Sequence, residues 1–379
     1  MRNRGEWAWF LAAVLLALGQ DAAAQEASAD LTSLPTVETD FTPPRTAWGD
    51  PDFRGTWPIE LLFRAGIPLE RPEGYGERAS MTDEEFAQRL EAATRPNPIF
   101  ALDDVGDGTP GLAEWLRSTP FGRRTSLIID PPNGRLPPMT PEASALYAAG
   151  RNSFKDRQPI DWITDLDSYD RCITRNLAAV ILPWPENNGV RVFQSPGYVV
   201  LQLEVLGTRV IPIGHGERWP EPVRSWMGQS LGHWDGNTLV IETTNIVVGD
   251  SASSDAVKRG GTPINGRPNG VVPMSGKARA VERLTMTGPN TIAYEVTYSD
   301  PEVYTASWTA AVEWTRDNGY RLYEFACHER NEVRQMITGS RAHRRLGEDI
   351  PRGSGNPQQD GTGRWPFPHP DDPGAGQAE

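Results

Sequence analysis

The sequence predicts a mainly β chain, an antiparallel sheet curling into a barrel or sandwich, preceded by a loop-rich and partly helical N-terminal extension. Three turns carry that expectation, each placing residues that tolerate positive φ between segments rich in β-branched and aromatic side chains. Asp235-Gly236-Asn237 separates residues 230–234 from 238–245, and Gly288-Pro289-Asn290 separates 280–286 from 291–298. Asp317-Asn318-Gly319 separates 306–314 from 320–328. With segments 191–195, 198–205 and 208–213 this makes roughly nine strands. Hairpins in succession need no crossover helices, so one curled antiparallel sheet is the economical arrangement.

The remaining elements follow from local chemistry. A first strand is expected around residues 53–57. Residues 81–93 form the clearest helix: Thr82 can cap it, Glu85 stands three residues on as in a capping box, and Phe86 and Leu90 share a face. A second helix is expected over 141–149, and the Pro-rich stretch 130–139 before it excludes regular structure. Residues 249–276, dense in Gly, Pro, Ser and Asn, form a long loop between two strands, the length of a lid or of a mobile insertion.

Residues 1–24 read as a secretory signal, with Arg2 and Arg4, an apolar stretch over 7–18 and Ala22-Ala23-Ala24 before Gln25. That stretch is too short to cross a bilayer, and no later one approaches the roughly 20 residues required. The mature chain is expected to be periplasmic or secreted, without membrane insertion. Its net charge of −13 provides no basic stripe for phosphate, which argues against nucleic acid as a partner. The 37 Gly and 34 Pro among 379 residues suggest long ordered loops around the β core. The organisation is then a signal at 1–24, a flexible leader at 25–44, a loop-rich helical region at 45–189, the barrel at 190–350 and a disordered tail at 351–379. The two cysteines, Cys172 and Cys327, are expected to pair, because an oxidising compartment favours the disulfide.

Five motifs resemble a large family of exported bacterial proteins of unassigned function: Trp48-Gly-Asp-Pro-Asp-Phe-Arg-Gly-Thr-Trp57, Tyr169-Asp-Arg-Cys-Ile-Thr-Arg175, Asn187-Asn-Gly-Val-Arg-Val-Phe-Gln-Ser-Pro-Gly-Tyr198, Gly232-His-Trp-Asp-Gly-Asn-Thr-Leu-Val-Ile-Glu-Thr-Thr-Asn245 and Asp300-Pro-Glu-Val-Tyr304. The resemblance covers most of the mature chain and implies no catalytic roles. Gly55-Thr56-Trp57 also resembles the Gly-x-Trp that opens lipocalin barrels, which favours a lipocalin-like barrel over a sandwich.

Strand parity then suggests an interior, since alternate residues share a face. Leu239, Ile241, Thr243 and Asn245 share one side; so do Ile292, Tyr294, Val296 and Tyr298; so do Trp308, Ala310, Val312 and Trp314; so do Tyr323, Phe325, Cys327 and Glu329. The faces are aromatic and aliphatic, with polar groups at one end, the make-up of a small-molecule pocket or of a barrel packed solid. A Cys172–Cys327 bond would bring Asp170, Arg171 and Arg175 beside Glu329. Two guanidiniums there suit an acidic or phenolic ligand, or else form a buried ion pair that locks the insert to the barrel.

The candidate substrate-binding residues are therefore Arg171, Arg175, Thr243, Asn245, Tyr298, Trp308 and Tyr323, and the candidate catalytic residues are His233 as general base with Glu329 and Asp170 as carboxylates. His233 with Asp235, and His215 with Glu217, have two-apart spacing but no third ligand nearby, so neither a metal nor another cofactor is expected. The expected function is action on an aromatic or apolar small molecule by a cofactor-independent lyase, isomerase or hydrolase. The alternatives are a non-catalytic carrier and an envelope protein-interaction module.

Overall fold

The computed structural model describes residues 30–59, 65–94, 111–149, 171–174, 182, 188–205, 207–247, 257–258, 271–272, 274–327 and 329. The described residues are mainly β, in two antiparallel sheets. The four-stranded sheet has the order β1-β3-β4-β5, from β1 (Gly55–Pro58), β3 (Gly189–Ser195), β4 (Tyr198–Leu203) and β5 (Thr208–Pro212). The six-stranded sheet has the order β2-β12-β11-β10-β7-β6. Its strands are β2 (Ile128–Asp130), β6 (Gln229–Asp235), β7 (Thr238–Thr244), β10 (Arg279–Gly288), β11 (Thr291–Ser299) and β12 (Trp308–Thr315). A separate two-residue ladder pairs β8 (Val257–Lys258) with β9 (Val271–Val272) inside the long loop; apart from residues 274–276, the rest of that candidate lid is outside the described residues.

The two sheets touch at two seams. Ile213, just past β5, forms a parallel bridge with Gly232 of β6, and Gly214 N donates to Gly232 O at 2.8 Å. At the opposite edges Asp317 N donates to Thr56 O at 2.9 Å, and Thr56 N donates to Asn318 Oδ1 at 3.1 Å. Gly55 must approach closely here: its φ is +145°, and a Cβ would stand 2.9 Å from Asn318 Oδ1.

Between the sheets lies the core. Leu239, Ile241, Ala280, Leu284, Ile292, Val296, Ala310 and Val312 face inward with Trp57, Tyr294, Tyr298, Trp308 and Trp314, and all are buried. Tyr294 stacks on Trp314 with centroids 5.0 Å apart, and Tyr298 stacks on Trp308 at 5.2 Å. The inward faces expected from parity on β7, β11 and β12 are buried apart from Asn245, which lies beyond β7, while the opposite faces of β7 and β12 are largely covered as well. The aromatics fill the space between the sheets.

The third hairpin does not form. Its turn is present, but residues 320–326 have no regular structure. The reason is non-local: the free edge of β12 is taken by β2, with Thr309 opposite Asp130 and Ala310 opposite Ile128, and β1 binds the chain beyond β12. Residues after the turn are held instead by buried Glu204, which accepts Tyr320 Oη at 2.7 Å and Tyr323 N at 2.9 Å.

Helix α1 (Asp83–Ala93) has the expected capping box: Glu85 N donates to Thr82 Oγ1 at 3.2 Å and Thr82 N donates to Glu85 Oε2 at 2.9 Å. A short helix α2 (Leu112–Ser118) was not expected, while α3 (Pro141–Ala149) was. Residues 120–127 lead into β2 at the edge of β12, where Ala311 N donates to Leu127 O at 3.0 Å. No helix among the described residues is long and apolar enough to cross a membrane.

Candidate functional site

Two arrangements concentrate chemistry. The first is a polar cluster in the core. Arg209 on β5 and Glu282 on β10 point inward from the two sheets, with 2% and 1% of their side chains exposed. Arg209 Nη1 donates to Glu282 Oε1 at 2.9 Å and Nη2 to Glu282 Oε2. Nη2 also reaches Ser230 Oγ at 3.1 Å and Thr243 Oγ1 at 3.0 Å, and Tyr294 Oη donates to Glu282 Oε1 at 2.9 Å. Burial works against the Arg209 charge, but the facing Glu282 carboxylate outweighs it and holds the guanidinium above its ordinary pKa. Burial, and secondly the Glu282 charge, push the Tyr294 phenol well above its ordinary value, so it remains a donor at neutral pH. With both carboxylate oxygens occupied, this cluster cross-links the sheets.

The second is a groove of about 510 Å³ on the outer face of the six-stranded sheet. Its floor comes from two cross-strand rows. Thr238 of β7 lies opposite Thr285 of β10, which lies opposite Ala293 of β11; Arg283 of β10 lies opposite Glu295 of β11, which lies opposite Ala311 of β12. The two alanines create the hollow, because larger side chains at those outward positions would fill it. One wall is the N-terminal strap through Leu34, Pro35, Val37 and Thr39, and the other includes Pro120, Phe121 and Arg124. Ser80 N holds the strap by donating to Leu31 O at 3.0 Å.

Arg124 is only 2% exposed. Its Nη1 donates to Ala311 O at 2.8 Å and its Nη2 to Leu127 O at 2.7 Å, and Phe121 lies 5.0 Å from its guanidinium carbon. Arg89 on α1 holds this wall, donating to Gly122 O and Arg124 O at 2.9 Å each. Burial pushes Arg124 down to about 9, with the neighbouring Arg71 charge adding to it, so it is still a cation at neutral pH. Along the floor Arg283 Nη2 donates to Asp235 Oδ2 at 2.9 Å, and the Thr238 and Thr285 hydroxyls hydrogen-bond at 2.7 Å.

The expected site residues scatter. Thr243, Tyr298 and Trp308 are all at 0% exposure, so they are core rather than the wall of an open pocket. Asn245 lies beyond β7 at φ +57° and donates Nδ2 to Pro220 O at 3.1 Å and Val223 O at 3.0 Å, a loop anchor. His233 is exposed on the outer face of β6, opposite Val240, away from the core face of Thr243. Tyr323 is 73% exposed because its strand is absent. Cys172 and Cys327 are bonded, with Cα atoms 5.7 Å apart. Arg171 lies over the Trp226 ring at 5.7 Å, and Glu329 is exposed, while Asp170 and Arg175 lie outside the described residues.

The sequence reading missed Arg209, Glu282 and the groove. Parity could have found the first two: Glu282 alternates with Ala280, Leu284 and Met286, and Arg209 with Ile211, so each sits on an otherwise apolar face. The groove needs Arg124 and the strap, whose positions no local pattern encodes. Among the described residues no group of three or more His, Cys, Asp or Glu could hold a metal. Comparison of the chain with protein-family models, curated proteins and solved structures finds no match.

Proposed function

We propose that the protein is an exported, lipocalin-like antiparallel barrel that binds a small apolar or aromatic molecule in the groove on its outer face. The observation that carries this reading is the recess of about 510 Å³ itself. It falls within the roughly 300–1,000 Å³ of small-molecule sites and joins apolar walls to a few convergent polar groups. The barrel is supported by the two seams, at Ile213 with Gly232 and at Thr56 with Asp317. Export to a periplasm or beyond is supported by the Cys172–Cys327 bond and by the signal-like pattern of residues 1–24. A carrier fits the groove better than an enzyme, since the hydroxyls of Thr238 and Thr285 are engaged with each other.

The test is a titration with N-phenylnaphthylamine, a neutral aromatic probe that brightens in apolar surroundings. One saturable site is expected, and Ala293→Phe, which fills the floor, should abolish it while leaving the thermal melt close to wild type. Absence of saturable binding, or binding that survives Ala293→Phe, would overturn the reading.

A further inference from the structure

We infer that the groove selects ligands carrying an anionic group on an aromatic or apolar body, such as an aromatic carboxylate or sulfonate, and that Arg124 is the residue that recognises the anion. This rests on the groove being a ligand site. Three observations lead to it. Arg124 is buried to 2% exposure, yet its two Nη atoms are spent on the backbone carbonyls of Ala311 and Leu127, so no carboxylate neutralises it through a hydrogen bond. Its Nε is buried without a hydrogen-bond partner in a side chain that lines the groove. An unmet buried donor on a charged group is costly, and an acceptor in the groove that the side chain turns its Nε to meet recovers that cost.

The surrounding charges agree with this. Arg71 is a second buried guanidinium close enough to depress Arg124 electrostatically; its Nε donates to Thr125 Oγ1 at 3.1 Å and its Nη1 to Glu77 O at 3.0 Å. The core guanidinium of Arg209 differs in having Glu282 opposite it. Within the groove Arg283 is already paired with Asp235, and Glu295 is the lining carboxylate that reaches Arg124 only through space. Glu295 is exposed, so water weakens its charge without cancelling it, and it remains the negative charge felt at Arg124. An anionic head therefore belongs at the Arg124 wall, with the ring against Phe121, Pro35 and Ala293.

The experiment compares N-phenylnaphthylamine with anilinonaphthalene sulfonate, the same ring system bearing one negative charge. Wild type should bind the anionic probe at least about tenfold more tightly than the neutral one, as a charged hydrogen bond implies. Arg124→Met should erase the preference. Because that variant loses two bonds to backbone carbonyls and can fail to fold, Glu295→Gln provides the independent arm. Removing its negative charge should strengthen binding of the anionic probe several-fold more than that of the neutral probe. Equal affinities in wild type, or no change in probe preference with Glu295→Gln, would overturn the anion assignment. Loss of neutral-probe binding altogether would instead sink the groove reading beneath it.

Discussion

Arg209 and Glu282, 73 residues apart, join the two sheets through a two-pronged ion pair buried in the aromatic core. Every oxygen of the carboxylate is occupied, and Tyr294 adds a donor. Such a pair is dangerous to halve. Glu282→Gln should lower stability by about 3 to 5 kcal/mol, because Arg209 is left charged and dry. Arg209→Met combined with Glu282→Leu should be more stable than either single variant. Urea unfolding of the three single variants and the double variant checks this, and single variants within about 1 kcal/mol of wild type would contradict the lock.

The Cys172–Cys327 bond closes a sequence separation of 155 residues. In the chain-entropy model a loop of that length stabilises by about 4 to 5 kcal/mol relative to the reduced chain. Cys172→Ser with Cys327→Ser should show that loss in denaturant midpoint, and wild type should show it on adding reductant. Free thiols titrating in unfolded, unreduced protein would contradict the bond.

The α1 capping box makes a pH prediction. The Arg78 hydrogen bonds, followed by those from Thr82, pull Glu85 down to about 2, below the ordinary 4.5 of the unfolded chain. A depressed carboxyl stabilises fully above its unfolded pKa and loses that contribution as pH falls through its folded one. The stability gap between wild type and Glu85→Gln should therefore be constant above about pH 5 and shrink from about 4.5 to 2. Thr82→Ala should cost about 1 kcal/mol at neutral pH. A gap that persists undiminished at pH 2 would contradict the ionic part.

Gly228 precedes β6 at φ +69°, and a Cβ there would stand 2.5 Å from Thr244 O and 2.8 Å from Thr243 Cγ2. Gly228→Ala should cost more than about 1 kcal/mol, combining left-handed backbone strain with that clash. Because Thr243 holds Arg209, Gly228→Ala should cost less on top of Thr243→Ala than alone. Simple additivity would contradict the link.

The sequence by itself determined the elements whose causes are local. The Asp235-Gly236-Asn237 turn joins β6 to β7, the Thr82 and Glu85 box starts α1, and period-two burial on β10 and β11 follows the alternation of residue types. It also pointed to the disulfide, since two cysteines have a single pairing available. Tertiary structure decided whatever depends on who occupies an edge or a face. Residues 320–326 look like a strand, but β2 and β1 take the edge of β12 first, so Tyr323 is left exposed. The inward-facing Arg209 and Glu282 tolerate burial only because they meet across two sheets. The groove exists because residues 34–39 and the 120–129 segment supply walls beside Ala293 and Ala311, and alanine leaves room only where something else builds the walls.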